Sequence, residues 1–154
     1  MMKIEVTTLT PQIAVAIKRT AVTMDDIPEI IGEICPKLLA YIGEQGKEIT
    51  GAPYLAYMNA NEDYSKFDIE WGFPIAEPIS VSGEMYMSKT YEGKAITAIH
   101  KGSYSTMDET YTLIMDYASA NELESTGVTY DYYFNDPDET PESELLTQVV
   151  FPIR

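Results

Sequence analysis

Asp131 and Tyr133 stand two residues apart in the run Tyr130-Asp-Tyr-Tyr-Phe-Asn135, so on a β-strand a carboxylate and a phenol project from the same side of the backbone. Such a pair has two chemical uses. The carboxylate can take a proton from water while the phenol hydrogen-bonds a leaving oxygen, or the two can hold an organic cation by charge and ring contact. Asp131 and Tyr133 are therefore the candidate catalytic residues if the chain is an enzyme. Glu70 supplies a second acceptor within Phe67-Asp-Ile-Glu-Trp-Gly-Phe-Pro-Ile75. The single Cys35 excludes an internal disulfide, and the single His100 cannot form a zinc site alone. Cys35, next to Pro36 in an apolar helical stretch, reads as a buried structural thiol. His100, at a strand end leading into a helix, reads as a local structural residue acting through its ring nitrogens. No metal or cofactor is expected.

The elements that position these residues are written twice. Gly51, Tyr54, Tyr57 and Asn59 recur as Gly127, Tyr130, Tyr133 and Asn135; Phe73-Pro-Ile75 recurs as Phe151-Pro-Ile153, and Thr23-Met-Asp-Asp26 as Thr106-Met-Asp-Glu109, in the same order. A repeat of about 80 residues is too long for a solenoid unit and too short for two large domains. The expected organisation is one domain over 1–154, with repeats of about 1–77 and 78–154 around a pseudo-two-fold axis and a ligand cleft at their junction.

Alternating and β-rich runs predict strands at Ile4 to Thr8, Gln12 to Arg19, Tyr54 to Asn59 and Phe67 to Ile75, with Thr10-Pro11 turning the chain between the first two. Thr23 with Asp26 caps a helix whose stripe is Ile27, Ile30, Ile31, Ile34, Leu38, Leu39 and Ile42, ended by Gly43 and Gly46. Pro36 should kink or split it. The second half predicts strands at Ile79 to Ser88, Lys94 to Lys101, Thr129 to Asn135 and Leu145 to Ile153. Its helix runs from about Thr106 to Ala120 with Tyr111, Ile114, Met115 and Ala118 on one stripe, and Asp136 to Pro141 reads as a turn-forming loop. Four strands per helix predict an α+β fold, an antiparallel sheet with both helices on one face. Phe67, Ile69, Trp71, Phe73 and Ile75 then form the helix-covered side. Asp131, Tyr133, Leu55, Tyr57, Glu70 and Gln148 are assigned to the open side, an aromatic surface with a few acceptors that suits flat or cationic organic molecules, with Tyr104 as a further lining candidate.

Ten basic residues against 25 acidic ones give a net charge of −15, and Lys18-Arg19 is the only adjacent basic pair. That field repels phosphate backbones, which argues against direct nucleic-acid binding and favours cationic small molecules or a basic protein partner. No apolar run can span a bilayer and the first residues lack a signal-peptide pattern, so a cytoplasmic, membrane-free protein is expected.

Several of these motifs resemble a known family. Tyr130-Asp-Tyr-Tyr-Phe-Asn-Asp-Pro137 with Glu139 to Thr147 and Phe151-Pro-Ile153, His100-Lys-Gly-Ser-Tyr104, and Phe67 to Ile75 are similar to the signatures of the GyrI-like effector-binding domain superfamily. The resemblance covers nearly the whole chain. It implies a duplicated module with a ligand cleft, found free-standing or behind the DNA-binding domains of multidrug-sensing transcription regulators. With the first repeat beginning at Ile4, no helix-turn-helix is expected ahead of it, hence a free-standing form. It also implies that Asp131 occupies the position of the family's carboxylate, usually Glu, that meets the ligand's cationic group. Gln148 stands where some relatives carry a second acid. The leading expectation is a small-molecule binding protein for hydrophobic or cationic aromatic compounds, in sensing or sequestration. Two alternatives follow from relatives: a hydrolase of strained, cyclopropane-containing electrophiles, and an acidic protein-interaction module such as a DNA gyrase inhibitor.

Overall fold

A computed structural model describes residues 4–62, 65–135 and 139–154; part of the loop expected over Asp136 to Pro141 lies outside them. The chain runs β1 (Ile4–Leu9), β2 (Ile13–Val22), α1 (Ile27–Glu44), β3 (Tyr54–Met58), β4 (Phe67–Pro74), then β5 (Met85–Lys89), β6 (Gly93–Lys101), α2 (Met107–Ala120), β7 (Thr129–Tyr133) and β8 (Leu146–Pro152). All eight strands pair antiparallel in one sheet of order β1-β6-β8-β7-β3-β4-β2-β5. This is the α+β arrangement that the element count implies. β5 starts later than its apolar pattern suggests, because Gly83, at φ +65°, and Glu84 form a turn ahead of it, closed by the Met85 N–H on the Ser82 carbonyl at 3.3 Å.

Both helices cover the same face. α1 buries Ile27, Ile34, Leu38 and Ile42 against Val15, Ile17, Ile69, Trp71 and Phe73, while α2 buries Met107, Ile114 and Ala118 against Ile96, Ala98 and Val149. Leu39 and Met115, counted in the helical stripes, are instead 44% and 52% exposed. The Asp26 carboxylate accepts from the Thr23 N–H at 3.0 Å, as the capping pattern requires. α1 is not split at Pro36 but runs through it as 18 continuous residues. The ring removes only the bond to the Gly32 carbonyl, and burial of Ile34, Leu38 and Ile42 favours helix on both sides of it.

The first strand of each half is exchanged onto the other. β1 pairs β6 and β5 pairs β2. In the sheet order β1 and β2 are six spacings apart, about 29 Å at ~4.8 Å each if the sheet were flat. Leu9 to Ile13 can reach only about 14 Å. The sheet therefore curls until its two ends meet. The register that joins Ile4 to Ala98 and Leu9 to Gly93 continues through Ile13–Lys89 to Ile17–Met85. At the crossing, Thr90 N–H donates to the Gln12 carbonyl at 2.9 Å and Gln12 N–H to Thr90 Oγ1 at 2.8 Å. The Thr10-Pro11 turn expected from the sequence is thus no hairpin. Pro11, lacking an N–H, sits where one long strand passes from one half to the other.

Curling encloses the face without helices. Ala14, Tyr54 and Ala56 are fully buried there, packed by Met58, Tyr130 and Tyr132. At the centre of the other face, Leu55 opposes Asp131, flanked by the pairs Tyr54–Tyr132 and Ala56–Tyr130. Tyr54 and Ala56 are related to Tyr130 and Tyr132 by the same 76-residue offset that separates Leu55 from Asp131. An approximate two-fold axis therefore passes through the Leu55–Asp131 pair.

Candidate functional site

Directly opposed residues of an antiparallel sheet share a face, and this divides the expected site in two. Leu55 opposes both Trp71 and Asp131, Tyr57 opposes Ile69, and Tyr133 opposes Thr147. Leu55, Tyr57, Asp131 and Tyr133 consequently lie on the helix-covered side with Trp71, not on the open side. Glu70 opposes Ala56 and Gln148 opposes Tyr132, which places these two on the opposite face. Asp131 and Glu70 therefore do not share a site. The alternation within each strand was correctly assigned; the relative phase of neighbouring strands, set by register, was not.

Glu70 is fully engaged in structure. Tyr54 and Ser88 hydroxyls donate to Oε2 at 2.6 and 2.9 Å, and Tyr86 donates to Oε1. The Tyr54 ring lies against Gly72, where a Cβ would stand 2.7 to 2.8 Å from its hydroxyl and ring carbons, so only glycine admits the ring. Gln148, with Tyr132, Tyr91, Gln12 and Thr90, lines a cavity of about 190 Å³ beneath the strand crossing. Burial next to other phenols and Glu70 pushes the Tyr132 hydroxyl up to about 12.

Asp131 lies on the axis, 1% exposed. Tyr111 of α2 donates to its Oδ2 at 2.5 Å. Burial pushes the carboxyl up to about 7, opposed by that hydrogen bond and by the nearby Tyr57 hydroxyl. In turn burial and the Asp131 charge hold the Tyr57 and Tyr111 hydroxyls well above the usual phenol range, and burial and Tyr57 do so for Tyr133. Tyr133 stacks on Trp71 at 5.5 Å and meets Tyr104 edge-on at 5.6 Å. Tyr104 is 38% exposed and also lines an outer cavity of about 210 Å³ with Ser103, Thr140, Glu142 and Leu145. It thus stands between that cavity and the buried layer.

Three buried side-chain atoms among the described residues have no hydrogen-bond partner: Trp71 Nε1, Asp131 Oδ1 and Thr147 Oγ1. All three belong to this layer around Tyr133. Tyr111 and Thr147 were not singled out from the sequence. A tyrosine inside the otherwise apolar stripe of α2 was the available signal for the first; for Thr147, on an ordinary alternating strand, there was none.

His100 is buried and structural. Its Nδ1 meets Thr110 Oγ1 at 2.7 Å and its Nε2 meets the Ser103 carbonyl at 2.9 Å and Thr106 Oγ1 at 3.0 Å, which fastens the strand end to the start of α2. Among the described residues no group of three or more His, Cys, Asp or Glu is placed to hold a metal, and no helix is long and apolar enough to cross a membrane.

The chain belongs to the GyrI-like family: residues 2–154 match the GyrI-like small molecule binding domain. No curated protein matches it. In fold it is similar to the EcmrR C-terminal domain, with a TM-score of 0.86 at 16% identity over 99% of this chain and 98% of that one. It spans 57% of the EcmrR chain in the EcmrR–DNA complex, with a TM-score of 0.84 at 16% identity over 99% of this chain. SAV2435 bound to tetraphenylphosphonium gives a TM-score of 0.67 at 11% identity over 99% and 94% of the two chains. A hydrolase from Listeria innocua gives 0.66 at 11% identity over 99% and 92%.

Proposed function

We propose that this domain binds hydrophobic or cationic aromatic compounds, in sensing or sequestration, with Asp131 as counter-charge and Tyr57, Tyr111, Tyr133, Trp71 and Leu55 as walls. The observation that carries this reading is a carboxyl 1% exposed, with one hydroxyl donor and no cationic partner among the described residues. A buried charge of this kind is costly unless a cation answers it, and the surrounding rings present the negative faces that attract one. The tetraphenylphosphonium bound by SAV2435 is a lipophilic aromatic cation, which supports the cationic and aromatic part of this reading. Tyr104 is the rim residue of this reading. Glu70 and Gln148 act on the far face and do not touch the ligand.

The test is titration with rhodamine 6G at pH 8. Asp131→Asn should weaken binding by about 1 to 3 kcal/mol, the range for losing a hydrogen bond or contact to a charged group. A neutral dye of similar size should change far less. Equal losses for both dyes would refute the assignment of Asp131.

One observation favours a second reading, hydrolysis of strained electrophiles. A carboxyl at about 7 beside several phenols is poised to accept a proton near neutrality, with Tyr133 donating to the leaving oxygen. Against it, Tyr111 already occupies Oδ2, and Asp131 is one methylene shorter than the glutamate that the family resemblance makes usual at this position.

A further inference from the structure

The three unpartnered atoms around Tyr133 differ in kind, and together they describe a ligand. Asp131 Oδ1, when ionised, only accepts, Trp71 Nε1 only donates, and Thr147 Oγ1 can do either. Trp71 and Asp131 flank Leu55 from opposite sides on adjacent strands, about 10 Å apart at the backbone. Thr147 faces Tyr133, two residues along β7 from Asp131. The layer between them is aromatic, with Trp71 stacked on Tyr133.

We propose that the site is selective for aromatic ligands that combine a donor cation with an acceptor: a protonated amine or amidine whose N–H meets Asp131 Oδ1, with a carbonyl or ring-nitrogen acceptor elsewhere on the aromatic body for the Trp71 N–H. This rests on the binding role given to Asp131 above and narrows it. An onium ion whose charge is fully alkylated or arylated has no N–H, and one without an acceptor carries neither group. It leaves the indole N–H unpaired and gives the carboxylate no hydrogen bond, and sites built around hydrogen bonds reject analogues that lack them more strongly than apolar pockets reject size changes. Glu142 on the outer cavity adds attraction for any cation on entry and does not discriminate among them.

The experiment compares three probes by calorimetry at pH 8. These are 4-benzoylbenzylamine, with both groups; 4-benzylbenzylamine, which lacks the acceptor; and 4-benzoylbenzyl-trimethylammonium, which lacks the N–H. The first should bind at least ten-fold more tightly than either other. Trp71→Phe keeps a ring but removes the donor, and should erase the ketone's advantage over the methylene compound while leaving the preference for amine over quaternary ion. Equal binding of amine and quaternary ion, both weakened by Asp131→Asn, would overturn this inference and leave the cation-binding role intact. No binding by any of the three would overturn both. If Trp71→Phe fails to fold, the comparison of the two amines on the unaltered protein still decides whether an acceptor is recognised.

Discussion

Asp131→Asn should change the pH dependence of folding stability, and the sign follows from burial. In the folded chain the carboxyl titrates at about 7, against about 3.9 when unfolded. Below pH 4 it is protonated in both states and contributes no difference. Between pH 4 and pH 7 the folded state keeps a proton that the unfolded state releases, so stability falls as pH rises, by up to ~1.4 kcal/mol per unit. Above pH 7 the loss levels off at roughly 4 kcal/mol, an upper bound because water penetration and relaxation soften it. Asparagine cannot ionise, and its amide oxygen still accepts from Tyr111. Every other titrating group is common to both proteins and cancels on subtraction. Thermal melts by circular dichroism from pH 4.5 to 8.5 should therefore show the variant gaining on the parent as pH rises. The gain should amount to about 5 to 15 °C in Tm difference for a domain of this size. A difference that stays constant across the range would refute a buried carboxyl with a raised pKa.

Three other outcomes follow from the same geometry. Gly72→Ala should destabilise by about 1 to 3 kcal/mol in denaturant melts, because its Cβ would meet a Tyr54 ring that cannot swing away while wedged against Tyr130 and Tyr132 and bonded to Glu70; an unchanged midpoint would contradict the close approach. Tyr111→Phe removes the hydroxyl that donates to Asp131 Oδ2 at 2.5 Å, so the carboxyl should titrate above 7 by carbon-detected NMR, and a downward move would show that Tyr111 is not its donor. For the hydrolytic reading, mass spectrometry with a cyclopropane-containing electrophile should find weak or no ring opening by the natural sequence and more by Asp131→Glu. Efficient natural turnover abolished by Tyr133→Phe would replace the binding account with a catalytic one.

Much of this architecture was legible in the residues. Period-two runs mark the eight strands, the Thr23/Asp26 cap and the Ile27 to Ile42 spacing mark α1, and the recurrence of Gly51, Tyr54 and Tyr57 at Gly127, Tyr130 and Tyr133 equates β3 with β7. Alternation says which residues of one strand share a side, but not which side its neighbour presents. That depends on register, and a one-residue difference inverts the assignment. Leu55 opposite Trp71 moved Asp131, Tyr133 and Tyr57 beneath the helices and left Glu70 behind. The strand exchange was hidden for a related reason. Thr10-Pro11-Gln12 reads locally as a turn, and only the distant partner Thr90 keeps the chain running straight on. The asymmetry at the axis, Leu55 in one half and Asp131 in the other, is visible once the repeats are aligned, and it is where a single buried charge would be expected to serve a ligand.

A cation bound as proposed meets the ionised form of Asp131, and proton release on binding tests this most directly. Near pH 7 about half the Asp131 carboxyls in the free protein are protonated, from a pKa of about 7; a cation seated there lowers that pKa and expels the proton. Calorimetric titration of rhodamine 6G at pH 7, repeated in two buffers of different ionisation enthalpy, should give about half a proton released per ligand, falling to none at pH 9 and to none in Asp131→Asn. Binding without proton release at pH 7, or release that persists in Asp131→Asn, would contradict the account.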